Sequence, residues 1–138
     1  MVTLYADTSA LTKLIRPEVE SAALADFLSG SNDWGEAPAL ISSDLTTVEL
    51  HRAARREGSI PTADVATVLR KVYSLRLRPE IISLASEIEP KTLRSLDAFH
   101  LASALRTQCD MLAYDQRLIQ AARAAGLSVY SPGMTTSQ

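Results

Sequence analysis

The chain has 138 residues, 46% of them apolar and 22% charged, with 14 Lys+Arg against 16 Asp+Glu for a formal charge of −2. That is the size of one domain with an adequate core, and the slightly acidic balance argues against a general coat for nucleic acid, which would be basic. The single cysteine, Cys109, rules out an internal disulfide and a cysteine zinc cluster; it fits a reducing cytoplasm. No apolar run approaches the ~18 residues of a membrane span, and no basic segment precedes Asp7 to suggest a signal peptide.

In chain order, residues 2–6 predict an apolar strand that ends at Asp7. Thr8 and Ser9 lead into a short helix over Ala10–Ile15, stopped by Pro17. A second helix is expected over Glu18–Leu28, then a loop at Ser29–Asp33. Ala39–Ser42 reads as a strand, and Ser43-Asp44 starts a helix that runs to Glu57 and closes at Gly58. Pro61-Thr62 opens a helix expected to reach Val72, with Leu75–Leu77 a short strand or an extended link. Pro79 suits the first turn of a helix to Ile88, broken by Pro90. Ser95 is expected to cap an apolar helix over Leu96–Arg106. Met111–Tyr114 reads as a strand, Asp115 begins a helix ending before Gly126, and Leu127–Tyr130 is the last strand. Residues 1–131 are expected to form one domain, and the polar tail 132–138 to be loose.

Strands alternating with helices predict an α/β fold of three layers, a parallel sheet of four to five strands flanked by helices. Ligands of such sheets bind beyond the strand C-termini. Asp7 and Asp115 follow strands directly, and Glu49 and Asp97 lie in early turns of helices, so all four acids are expected at one edge. Each also has a plainer reading. Asp7 and Asp115 fit helix N-caps, Glu49 fits a capping box with Thr46, and Asp97 fits the acid preference of a first helical turn.

Four carboxylates in one pocket repel by about 3 kcal/mol per pair at ~5 Å and an effective dielectric of ~20. A cation relieves that repulsion. An acid-only set of hard oxygens suits Mg²⁺ or Mn²⁺ rather than zinc, and phosphodiester hydrolysis is the reaction such a centre serves best. His100, one turn after Asp97, reads as a packed or hydrogen-bonded histidine, and His51 as a helix-surface residue. Arg52, Arg55 and Arg56, and Arg70, Lys71, Arg76 and Arg78, read either as solvated helix faces or as a phosphate track. Aromatic residues are only 5%, so no base-stacking strand is expected.

Four stretches together resemble the PIN-domain ribonucleases, and among them the VapC toxins. They are Asp7-Thr8-Ser9-Ala10-Leu11, Thr46 to Ala53, Leu93 to Ala104 with its Leu96-Asp97-Ala98-Phe99-His100 core, and Tyr114-Asp115-Gln116-Arg117-Leu118. The resemblance implies Mg²⁺- or Mn²⁺-dependent cleavage of RNA, with Asp7, Glu49, Asp97 and Asp115 as acidic ligands. Ser9 would support the first of these, and Thr8 stands beside it. It also implies a VapB-type antitoxin partner and a homodimer. The family often carries Thr or Ser two residues before the last acid, where this chain has Ala113.

Two other classes fit part of the pattern. A phosphatase or phospho-accepting domain also places Asp after its first strand, but wants a second Asp where Ser9 stands, or a late Lys that is absent near 127–130. A degenerate module would bind partners without cleaving. The apolar residues Leu11, Leu14 and Ile15 are expected to line a groove for the antitoxin.

Overall fold

The computed structural model describes residues 1–135. Its elements, in order, are β1 (Thr3–Ala6), α1 (Thr8–Ile15), α2 (Ser21–Leu28), β2 (Ala39–Ser43), α3 (Asp44–Glu57) and α4 (Thr62–Leu69), then β3 (Val72–Leu75), α5 (Pro79–Glu87), α6 (Ser95–Thr107), β4 (Asp110–Leu112), α7 (Gln116–Ala124) and β5 (Val129–Tyr130). The five strands form one sheet in the order β3-β2-β1-β4-β5, and every pairing is parallel.

β1 lies in the middle because its residues are apolar on both faces. Leu4 and Ala6 point into one core with Leu11, Leu24, Leu50, Val65, Leu112 and Tyr114. Tyr5 points into the other with Leu101, Met111 and Leu118. The period-two alternation of a strand thus assigns α1–α4 to one face and α6 and α7 to the other. The chain leaves β1 toward β2 and β3 on one side and returns to β4 and β5 on the other. The order therefore reverses beside β1, and its C-terminal crevice is where a parallel sheet binds ligands.

Several expectations change. The helix opened at Pro61 stops at Leu69, and Val72–Leu75 is a strand. Val72 and Tyr73 favour extended backbone, and pairing of Leu40 with Val72 and Ile41 with Tyr73 outweighs the helical pattern. α2 begins at Ser21 rather than Glu18, with Glu20 at the cap position and the Ser21 hydroxyl accepting from the Glu18 N–H at 2.9 Å. Ser95 is the first residue of α6, not its cap; Arg94 holds that place without a side-chain cap bond.

The groove expected at Leu11, Leu14 and Ile15 is absent. Leu11 and Ile15 are buried in the monomer's own core, and Leu14 packs against it. The apolar stripe of α1 is consumed inside the chain. The segment after β5 is also held rather than loose. Ser131 donates to the Ala113 carbonyl, Tyr114 donates to the Pro132 carbonyl at 2.7 Å, and Met134 packs on the core. The end of the expected tail, 136–138, lies outside the described residues.

Candidate active site

Asp7 ends β1 and caps α1: its Oδ1 accepts from the Ala10 N–H at 3.0 Å. The Ser9 hydroxyl faces both carboxylate oxygens, at 2.7 and 2.8 Å. Ser9 in turn accepts from the Tyr114 N–H at 3.0 Å, tying the end of β1 to the segment after β4. Asp7 is only 3% exposed. Burial pushes its carboxyl up to about 6, with repulsion from Asp97 adding, against the pull of His100, Ser9 and the Ala10 N–H.

Glu49 lies on α3, but not in a capping box. α3 starts at Asp44 and is capped by Ser43, whose hydroxyl accepts from the Leu45 N–H. The Glu49 carboxylate reaches across the site instead. Its Oε1 accepts from the Thr8 hydroxyl at 2.9 Å and meets Nε2 of His100 at 2.8 Å. The other His100 nitrogen, Nδ1, meets the Tyr5 hydroxyl at 2.8 Å. Partial burial works against ionising Glu49, but the His100 bond and charge and the Thr8 bond outweigh it, so its pKa lies below the ordinary value. Burial likewise disfavours the His100 cation; the Glu49 bond and the influence of Tyr5 and Asp7 reverse this and push its pKa up to about 10.

His100 is the residue that sequence reasoning understated. It is hydrogen-bonded, as expected, yet its partner is an acid of the candidate site. The local signal is its place one turn after Asp97, which puts both on the same face of α6.

Asp97 is in the first turn of α6. Partial burial raises its pKa, and Asp115 and then Glu49 add repulsion, while His100 and Arg94 pull the other way. Asp115 is exposed and caps α7, its Oδ1 accepting from the Leu118 N–H at 3.0 Å. It is the least enclosed of the four. Among the described residues no hydroxyl bonds its carboxylate, in keeping with Ala113 standing where the family often has Ser or Thr.

Asp97 thus feels the charge of Asp115 and Glu49 and raises Asp7 in turn, while the larger part of the Asp7 shift comes from its burial. Among the described residues no three His, Cys, Asp or Glu side chains stand close enough to hold a metal ion as they are. The donor chemistry still fits a hard divalent cation, since Mg²⁺ commonly takes one or two carboxylates and completes its shell with water and substrate oxygens. A cleft of about 670 Å³ opens beside these groups, lined by Thr8, Ser9, Glu49, Asp115 and the cations Lys13, Arg16, Arg52 and Arg56. Among the described residues no helix is long and apolar enough to cross a membrane.

Comparison with known proteins gives the family and the fold. Residues 4–124 match the PIN domain family. The chain is 41% identical over 137 residues to ribonuclease VapC35 of Mycobacterium tuberculosis, covering 94% of this chain and 97% of that one. The crystal structure of VapC20 from the same species, described as a sarcin-ricin-loop-cleaving toxin, superposes with a TM-score of 0.67 at 17% identity, covering 90% of this chain and 95% of that one. A toxin-antitoxin complex from Klebsiella pneumoniae gives 0.68 at 16% identity, covering 94% and 97%. The family match over residues 4–124 and the 41% identity across 94% of the chain together make this chain a member of the PIN-domain family, of the VapC type.

Proposed function

We propose that the chain is a divalent-metal-dependent endoribonuclease, the toxin of a toxin–antitoxin pair, with Asp7, Glu49, Asp97 and Asp115 as its acidic centre. One observation carries this reading. The fold buries Asp7 at the switch point of the sheet and sets Asp97 against Asp115 and Glu49, so that Asp7 and Asp97 are both harder to ionise than free carboxyls. A fold keeps such a cost at a working site.

Asp7 and Asp97 would hold the principal cation, with Asp115 at its exposed side. Glu49, with Asp97, would complete a second position or orient the attacking water. A bound Mg²⁺ or Mn²⁺ would supply charge neutralisation and Lewis acidity at the scissile phosphate. The protein supplies orientation. Ser9 holds the Asp7 carboxylate in one rotamer, and Thr8 and His100 both engage Oε1 of Glu49, leaving Oε2 as its free acceptor.

The VapC relationship supports RNA as substrate and a VapB-type antitoxin as partner, and the Klebsiella structure of the same fold is a toxin-antitoxin complex. A homodimer belongs to the same reading. The second reading, a module that binds without cleaving, draws on the lack of a ready three-ligand group among the described residues.

Incubating the purified chain with RNA separates the two. Cleavage is expected with Mg²⁺ or Mn²⁺, to stop in excess chelator and to return when metal is restored. Equal cleavage in chelator, or RNA left intact with either metal across the RNAs of its own cell, contradicts the proposal. Sequencing RNA 5′ ends after brief expression supplies the substrate for the assay.

A further inference from the structure

The four cations that line the cleft are not equivalent. Lys13 is 8% exposed and is held by Glu18 at 2.6 Å and Glu20 at 3.1 Å, with its ammonium 4.6 Å from the Tyr114 ring centroid. Arg16 is held by Glu18 at 2.7 Å and Glu57 at 3.1 Å. Their charge is already spent on internal carboxylates. Arg52 and Arg56 are exposed and enter no ion pair among the described residues.

Both lie on α3, one turn and two turns beyond Glu49, on the face that lines the cleft. Residues four apart on a helix stand about 5–6 Å apart at Cβ, a spacing that two guanidinium arms can match to neighbouring phosphates of a single strand. Arg55, between them in sequence, lines a separate depression with His51, Ala54 and Gly58. The cleft also carries Val48 and Leu96, which are 54% and 44% exposed. An apolar patch beside unpaired guanidinium groups suits a chain with flat apolar bases on a charged backbone.

Resting on the nuclease reading above, we infer that Arg52 and Arg56 form a two-phosphate clamp for single-stranded RNA, with Val48 and Leu96 receiving an adjoining base. Among the described residues the clamp is the part of the cleft's basic lining that no carboxylate neutralises. It sits on the helix that carries Glu49, so a strand gripped there is delivered to the acids in a fixed register. Arginine suits this task because its planar fork binds phosphate through two parallel hydrogen bonds.

The test is binding, measured in chelator so that no cleavage occurs. Anisotropy of a short, mixed-sequence, labelled single-stranded RNA is followed against salt for the parent chain, R52Q, R56Q, the double variant and R55Q. Each clamp variant is expected to weaken binding about fivefold near 0.1 M salt and to reduce the slope of log K against log salt by about 0.7. The double variant is expected to lose both increments, and R55Q to keep the parental slope despite the same change in net charge. Equal losses in R55Q and the clamp variants overturn the proposal, as does an unchanged slope in the double variant. Polyglutamate binding as tightly as the RNA, with the same dependence on Arg52 and Arg56, also overturns it and assigns the pair to an acidic protein segment. Failure of metal-dependent cleavage with the clamp slopes intact counts against the nuclease reading alone.

Discussion

Asp7→Asn is expected to unfold at a higher temperature than the parent chain at pH 7 in chelator, while its RNA cleavage with metal falls by about 10²–10³-fold, the scale of one electrostatic element in an active site. The two effects share a cause. Asp7 is buried, and its carboxyl is pushed from 3.8 to about 6. The folded chain therefore holds this proton more tightly than the unfolded chain does. Stability linked to it is fully present below about pH 4 and is lost as pH rises through about 6, so at neutral pH the ionised group costs the fold. A displacement of about two units corresponds to about 3 kcal/mol at most. Asparagine does not titrate, remains a good N-cap, and keeps an oxygen for the Ala10 N–H. Chemical denaturation of both proteins at pH 4 and pH 7 checks this. The gain is expected at pH 7 and absent at pH 4; a variant less stable than the parent at pH 7 refutes it.

His100→Gln is expected to act the opposite way on stability. His100 is 2% exposed and spans Tyr5 and Glu49 through bonds of 2.8 Å each. Breaking a buried pair by removing one member costs about 3–5 kcal/mol, and the 24% exposure of Glu49 places this case at the lower end. Because the His100 pKa is raised to about 10, its contribution is fully present below about pH 6.5 and is lost as pH climbs through about 10. The gap between parent and variant should therefore narrow in alkaline solution.

For function, the proposed site makes His100 a positioning residue, acting through Glu49. Without it, Glu49 keeps only Thr8 on Oε1 and loses its fixed orientation. Loss of such supporting partners costs about 10–100-fold in activity, and it should appear in kcat with KM little changed. Tyr5→Phe removes one hydrogen bond and leaves the Glu49 contact, so a smaller loss of both stability and kcat is expected. A His100→Gln variant that is destabilised but cleaves at the parental rate would make the histidine purely structural.

The difference between what was legible and what was not follows range of interaction. Asp7 and Asp115 could be placed from sequence because a strand ending in a capping acid is a local pattern, and both residues do cap their helices. The parallel three-layer fold was legible for the same reason, since apolar strands alternate with helices. The ties that organise the site are not local. Tyr5 to His100 spans 95 positions, and Ser9 to the Tyr114 N–H spans 105; neither leaves a periodic trace. The capping-box reading of Glu49 failed because a box is judged by spacing, whereas α3 begins five residues earlier and frees that carboxylate to cross the site. The groove at Leu11 and Ile15 failed because an apolar stripe states that a face is covered, not by what. In β3, pairing with β2 overrode a helical pattern at Val72 and Tyr73.

The central claim is that Asp7 and Asp97 share a divalent cation, and calorimetric titration of Mn²⁺ near neutral pH tests it most directly. The parent chain is expected to bind, and Asp7→Asn and Asp97→Asn, both folded by circular dichroism, to lose that binding together with RNA cleavage. Absence of Mn²⁺ and Mg²⁺ binding by the parent chain even with RNA present, or full cleavage by either folded variant, would contradict the account.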